Sequence, residues 1–232
     1  EQFKGFTYYP DAVSTYSRTY PSIPYLLTEQ RCYFNKPYYE YIDSAYQEST
    51  YLPVLKQTGA DLRVFTDSQF IGKDASKYLS NIKQADKTIS LSRMKKFVEM
   101  MLKVSLYREA PYLTKDEYFY TSTDINDFFR VEDQAIQENE IDFYRYLTNQ
   151  GLSINQSYSA TLRFYHLYGP HPGSFYDENL EWKENANRID SLKGDFKLLT
   201  EYITQLKELG IYDSSTIIIT ADHGRSSGAI RP

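Results

Sequence analysis

Cysteine, tryptophan and histidine are scarce in this sequence, and other absences limit the class of protein further. The 232 residues include one cysteine, Cys32, so an internal disulfide framework is excluded. No apolar run approaches about 18 residues, and we therefore predict no transmembrane helix in this chain. Basic residues form no cluster, and the net charge of −5 disfavours binding to nucleic acid.

The balance of residues that are present is that of an ordinary globular protein. Apolar residues make up 41% of the chain and charged residues 25%, which suits one large α/β domain or two small ones. The chain starts at Glu1 without an initiator methionine or a signal peptide, which favours a piece cut from a longer protein. Tyrosine is abundant, with 24 residues, and its scattered positions favour core edges and surface over a binding platform.

The spacing of apolar residues predicts both strands and helices. Strands are predicted at residues 62–66 and 160–169, the second of which opens into a loop. The run TIIIT at residues 216–220 has no polar alternation, which is typical of a strand buried on both faces. Amphipathic helices are predicted at residues 90–107, 132–150 and 189–209, and residues 121–124 (TSTD) offer helix caps.

All three histidines follow predicted strands. The last two strands and the helix between them predict a parallel β-α-β unit, in which the carboxyl ends of the strands share one edge. His166 and His171 follow the first of these strands, and His223 follows the second. Any single histidine could be a hydrogen-bonded structural residue, but the clustering of all three favours a functional site at that edge.

The adjacent residues Asp222 and His223 offer a carboxylate oxygen and an imidazole nitrogen. This pair suits a divalent metal such as Zn²⁺ or Mn²⁺, and Gly224 allows the backbone to turn away. A catalytic zinc takes about three protein ligands and keeps one open position, so other segments must contribute.

A hydroxyl-rich segment near the start of the chain offers a nucleophile. Residues 13–29 contain several serines and threonines, together with Pro21 and Pro24. One interpretation is a turn followed by a short helix that a serine or threonine caps. The other is a nucleophilic hydroxyl at a helix N-terminus, where the backbone N–H groups favour an anion and a nearby metal lowers the hydroxyl pKa.

The same segment resembles the alkaline phosphatase/sulfatase superfamily. TYPSIPYLLT at residues 19–28 is similar to the sulfatase signature, a nucleophile followed by x-Pro-Ser and a helix. Thr19 takes the nucleophile position and Pro21 and Ser22 match. Ile23 replaces the usual arginine.

Two later segments resemble the same family, in the same order. FYHLYGPHPGSFYD at residues 164–177 is similar to the family's His-x-x-Gly-x-His-x-Pro segment. LKELGIYDSSTIIITADHG at residues 206–224 is similar to its run of helix, glycine, Tyr-Asp, strand and Asp-His-Gly. Residues 52–67 resemble an early helix-and-strand unit of the family, whereas residues 73–158 match weakly.

The resemblance implies a fold, a cofactor and a set of site residues. The fold is expected to be an α/β/α sandwich of three layers, formed by one sulfatase-like domain over residues 1–232 with a helical insertion at 73–158. A divalent metal, Zn or Mn, is expected on Asp222, His223 and Thr19. Thr19 is also expected to be the nucleophile that forms a covalent phospho- or sulfo-enzyme. His171 is expected to contact the transferred or leaving group, and His166 is a weaker candidate of the same kind.

The threonine nucleophile narrows the resemblance to one branch of the family. Sulfatases oxidise a cysteine or serine to formylglycine, and the extra methyl group of Thr19 prevents that reaction. Threonine resembles the nucleophile of membrane-anchored transferases that move phosphoethanolamine or phosphoglycerol onto an envelope lipid or glycan. These enzymes work on the extracytoplasmic face of the bacterial membrane. Thr15 is the second candidate nucleophile, and Ser17 is the third.

Two departures from the family pattern leave other functions open. A strand that ends in an acidic metal ligand is expected before the first motif, and Arg225 with seven further residues is all that follows Gly224. We therefore interpret the chain as a fragment that is truncated at both ends and expect little activity from it alone. The alternatives are a sulfuric or phosphoric ester hydrolase and a catalytically incomplete domain that binds an anionic envelope glycan.

Overall fold

The chain divides into two compact units, each of which is described separately. The computed structural model describes residues 3–82, 91–118, 139–171 and 175–224. The larger unit takes its described residues from Glu1–Asn81 and Ala135–Pro232, and the smaller unit takes them from Ile82–Gln134. The candidate site residues all belong to the larger unit.

Six α-helices are formed by the described residues. Their bounds are α1 Thr19–Thr28, α2 Tyr38–Glu48, α3 Tyr51–Gln57, α4 Leu91–Glu109, α5 Glu140–Asn149 and α6 Arg188–Glu208. Asn139 and Asn187 cap α5 and α6, because each side chain accepts the N–H of the second helical residue. Gly210, with a φ of 71°, ends the last helix in the left-handed conformation that glycine adopts without steric cost.

Two short strands, β1 Asp61–Phe65 and β2 Thr161–Tyr165, pair in parallel. Leu62 and Val64 of β1 are completely buried, as expected for the centre of a covered sheet. The register pairs Phe65 with Tyr165 at the carboxyl ends, where the two rings stack with centroids 4.8 Å apart. The residues that follow the two strands therefore emerge side by side.

The predicted strand at residues 216–220 is wrong in this structure. The segment forms no strand, and the side chains of Ile218 and Ile219 are 81% and 45% exposed. In the described ranges the sheet consists of β1 and β2, and the predicted β-α-β unit is therefore not formed. A run of β-branched residues becomes a strand when a sheet edge pairs with its backbone, and here neither strand does so. The fold is broadly α/β, and the described residues do not show a sandwich of three layers.

The other predicted elements are confirmed wherever the structure describes them. Strands 62–66 and 160–169 correspond to β1 and to β2 with its following loop, and helices 90–107 and 189–209 correspond to α4 and α6. The helix predicted at 132–150 is confirmed over α5. Its first part, residues 132–138, lies outside the described residues, as does the capping segment 121–124.

A core of aromatic and aliphatic side chains packs β2 against α5 and α6. Its buried members are Ile141, Phe143, Leu147, Tyr176, Leu180 and Leu198. Phe143 stacks on Tyr165 with centroids 4.7 Å apart, and Tyr202 meets the Tyr165 ring edge-on at 5.6 Å. This packing fixes the end of β2, and with it the start of the loop that carries His166 and His171.

The smaller unit contains α4 and a 3₁₀ turn at Tyr112–Tyr118. Six of the apolar side chains described on α4 are 40–56% exposed, namely those of Met94, Phe97, Val98, Met101, Leu102 and Leu106. No helix among the residues that the structure describes is both long and apolar enough to cross a membrane.

Candidate active site

The hydroxyl of Thr19 meets the imidazole of His223. Thr19 Oγ1 lies 3.3 Å from His223 Nε2, across 204 positions of the chain. Thr19 is the first residue of α1, after Arg18, whose backbone is extended. The prediction that a serine or threonine side chain caps this helix is wrong, because Arg18 occupies the capping position and its side chain makes no capping hydrogen bond.

The other two candidate hydroxyls do not share this contact. Thr15 and Ser17 are exposed, and in the described part of the chain neither is hydrogen-bonded to His223. Of the three hydroxyls that the sequence ranked, the first-ranked one, Thr19, makes the contact with His223.

The backbone of the Asp-His-Gly segment orients His223. Its Nδ1 lies 2.8 Å from the carbonyl oxygen of Gly224, which directs Nε2 towards Thr19. Because a carbonyl only accepts, Nδ1 donates this hydrogen bond, and in the neutral imidazole the Nε2 lone pair then faces the hydroxyl. Asp222 accepts the His223 backbone N–H at one carboxylate oxygen and leaves the other 3.7 Å from Nε2.

Two separations between donor atoms in this group are close to those that a divalent metal requires. A tetrahedral zinc with bonds of about 2.0–2.2 Å separates its ligand atoms by about 3.3–3.6 Å. The distances from His223 Nε2 to Thr19 Oγ1 and Asp222 Oδ2 are 3.3 and 3.7 Å. The hydrogen bond of the other ring nitrogen to a backbone carbonyl is typical of metal-binding histidines. The donor set therefore fits the metal that the resemblance implies.

This group is small by the standard of complete metal sites. No set of three His, Cys, Asp or Glu side chains is placed to hold a metal within the described ranges. The third donor here is a hydroxyl, so two side chains of the usual ligand types and Thr19 form the group. Arg225, which follows the motif in the sequence, lies outside the described residues.

His166 lies beside this group at the carboxyl end of β2. Its Nδ1 is 2.9 Å from the hydroxyl oxygen of Thr66, the residue that follows β1. Burial lowers the pKa of the His166 imidazole, although the carboxylates of Asp222 and Asp67 act to raise it. The net shift is downward, so the ring is neutral at pH 7 and can both donate and accept a hydrogen bond.

Thr66 and Asp67 are site residues that the sequence analysis did not single out. They follow β1 directly, and both are buried. A signal for them existed, because polar residues at the carboxyl end of a predicted strand lie at the edge where α/β folds bind ligands.

His171 is exposed and lies further along the same loop. Its ring meets the Tyr168 ring edge-on with centroids 6.2 Å apart, and Tyr168 in turn lies 6.5 Å from His166. The structure thus brings together Thr19, His223, Asp222 and His166. It leaves His171 accessible to solvent at the rim.

Comparisons of the chain with models of protein families, with curated proteins and with solved structures found no match in any of the three.

Proposed function

We propose that this chain is the catalytic part of a metal-dependent transferase of the alkaline phosphatase/sulfatase superfamily. It moves phosphoethanolamine or phosphoglycerol to an envelope lipid or glycan, and Thr19 carries the group between donor and acceptor. The reaction takes place on the extracytoplasmic face of a bacterial membrane. The domain that catalyses it is an α/β/α sandwich of three layers.

The contact between Thr19 and His223 is the observation that carries this proposal. Two motifs that lie 204 positions apart meet at 3.3 Å, which neither local spacing nor composition requires. A threonine buried among apolar neighbours would serve packing alone, but this one offers its hydroxyl to an imidazole whose other nitrogen is already engaged. A nucleophile beside an oriented base or metal ligand is the arrangement that covalent catalysis uses.

The donor set suggests how Thr19 becomes reactive. Asp222, His223 and Thr19 would hold the divalent metal, which when bound lowers the pKa of the hydroxyl and neutralises charge on the phosphoryl oxygens. Thr19 Oγ1 then attacks phosphorus, and the bond between phosphorus and the donor alcohol breaks. The donor alcohol leaves with the proton that Thr19 loses. An acceptor alcohol then attacks phosphorus, gives its proton to Thr19 Oγ1 and takes the group.

The positions of the two loop histidines suit proton transfer for His166 and acceptor binding for His171. His166 is neutral and lies within the site, so its imidazole can pass a proton to or from an alcohol oxygen. His171 is exposed at the rim, where a lipid or glycan acceptor arrives. These positions support the proposal that both histidines bind the substrate.

Metal binding provides a test that does not require the substrate. We expect the chain to bind about one equivalent of Zn²⁺ or Mn²⁺ by titration calorimetry. We expect Asp222→Asn to weaken the affinity by about 100-fold or more, because an amide is a poor ligand and carries no charge. Asp213→Asn is the control, since Asp213 is exposed on the same segment. Equal affinity in the wild-type chain and Asp222→Asn would exclude this site.

A further inference from the structure

The turn between His166 and His171 is held by side chains from two helices. Tyr168 and Gly169 both donate their backbone N–H groups to one carboxylate oxygen of Glu140, the Gly169 bond being 3.2 Å long. The Arg188 guanidinium donates to the Pro170 carbonyl at 2.7 Å. Three consecutive residues of the turn are therefore tied to α5 and α6.

Glu140 is a buried carboxylate in a position that favours its charge. It is the first residue of α5 and is 4% exposed. The partial positive charge of the helix N-terminus stabilises an anion there, and the two N–H groups from the turn satisfy the oxygen that faces them. A neutral side chain without an acceptor would remove the oxygen that both N–H groups share.

A second carboxylate, Asp195, packs against the same turn. A Cβ added to Gly169 would lie 3.1 Å from Asp195 Oδ2, and Gly169 has a φ of +56°. Both facts favour glycine at this position. The Tyr176 hydroxyl donates to the other oxygen of Asp195 at 2.7 Å. The titratable groups that face Asp195 are Tyr176 and Glu140.

We propose that Glu140 and Asp195 form a positioning device that holds the turn at residues 166–171 and so sets where His166 and His171 stand. The catalytic part of this inference rests on the proposed function. The part that concerns how the turn is held does not rest on the proposed function, because it follows from the hydrogen bonds and burial described above.

The device depends on pH. Burial raises the pKa of Asp195 to about 7, with the hydrogen bond from Tyr176 opposing the rise and Glu140 adding to it. Below that pH Asp195 is neutral and does not repel Glu140 beneath the turn. Above it two carboxylates repel one another in a buried site, so the turn is held less firmly at pH 8 than at pH 6.

Amide hydrogen exchange of the full chain tests this directly. After correction for intrinsic rates, we expect the protection of the Tyr168 and Gly169 amides to fall about tenfold between pH 6 and pH 8. Asp195→Asn should abolish that dependence, because asparagine still accepts from Tyr176 but does not ionise. Glu140→Ala should remove protection at both pH values, whereas Glu140→Gln retains an acceptor oxygen and should restore part of it.

A control variant and the pH dependence of the wild-type chain test the positioning device separately from the proposed function. Asp190→Asn, on the same helix as Asp195 but in surface ion pairs with Lys183 and Lys193, should leave the protection of the turn unchanged. Protection that is independent of pH in the wild-type chain overturns the device, even if transfer is detected. Protection that behaves as expected supports the device, even in a protein that shows no transfer.

Discussion

Thr19→Ala is expected to lower the rate of group transfer by about 10³-fold or more, because it removes the only atom that forms the covalent bond. The hydroxyl is also one of the proposed metal ligands, so its loss should weaken binding of the metal as well. The assay follows release of the donor alcohol by the full-length gene product, with Zn²⁺ or Mn²⁺ present.

Matched variants separate loss of the nucleophile from loss of folding. Thr19→Ser retains a hydroxyl and should keep measurable transfer, whereas Thr15→Ala and Ser17→Ala should behave like the wild type. Thermal unfolding should show that Thr19→Ala is folded, since Thr19 is only partly buried. Full activity in Thr19→Ala, or its loss in Thr15→Ala instead, contradicts the assignment of the nucleophile.

Asp61→Ala is expected to lower the free energy of unfolding by about 3 kcal/mol, the largest effect on stability that we predict. Asp61 is the first residue of β1 and is fully buried. Its carboxylate accepts from Ser80 and pairs with Arg163 Nη2 at 2.6 Å and with Arg63 Nε at 3.1 Å. Removing it leaves the partly buried Arg163 without its anion at the point where β1 and β2 meet.

The contribution of Asp61 depends on pH in a direction that can be measured. Burial acts to raise its pKa, but the hydrogen bonds from Ser80 and Arg163 and the charges of the two arginines lower it overall. The folded state therefore binds the proton less tightly than the unfolded chain, whose aspartate pKa is about 3.9. The stabilisation is present above that pH and is lost as the pH falls through the folded pKa.

Chemical denaturation at pH 7 and at pH 3 measures both effects. Asp43→Ala is the control, because it removes an exposed ion pair with the Lys73 ammonium and a hydrogen bond from the Lys73 backbone N–H, and it should cost much less than Asp61→Ala. If Asp61→Ala costs no more than this control at pH 7, the ion pairs at the start of β1 do not stabilise the sheet.

The sequence predicted β1, β2 and the long helices because local patterns determine them. Short runs rich in apolar and aromatic residues and a helical spacing of apolar residues are visible without knowledge of the partner. The exposed segment at residues 216–220 shows the limit of this reasoning, since its composition is that of a buried strand. Whether such a run pairs depends on a sheet edge elsewhere in the fold, which composition does not reveal.

The site was predictable in part, for similar reasons. Motifs indicated Thr19, Asp222 and His223 as candidates, and the 3.3 Å contact between Thr19 and His223 adds the proximity that a motif lacks. Thr66 and Asp67 were not singled out, although Thr66 ends a predicted strand and Asp67 follows it. Glu140 and Asp195 had no signal at all, because two isolated acids on separate helices become a pair only when those helices pack.

Mass spectrometry of the intact protein tests the central claim most directly. The full-length gene product is incubated with a lipid that carries phosphoethanolamine or phosphoglycerol, with Zn²⁺ or Mn²⁺ and without an acceptor alcohol. We predict one added mass equal to the transferred group, located on Thr19 by fragmentation and absent from Thr19→Ala. An adduct on any other residue, or transfer that proceeds at the full rate in Thr19→Ala, would contradict the proposal that Thr19 carries the group.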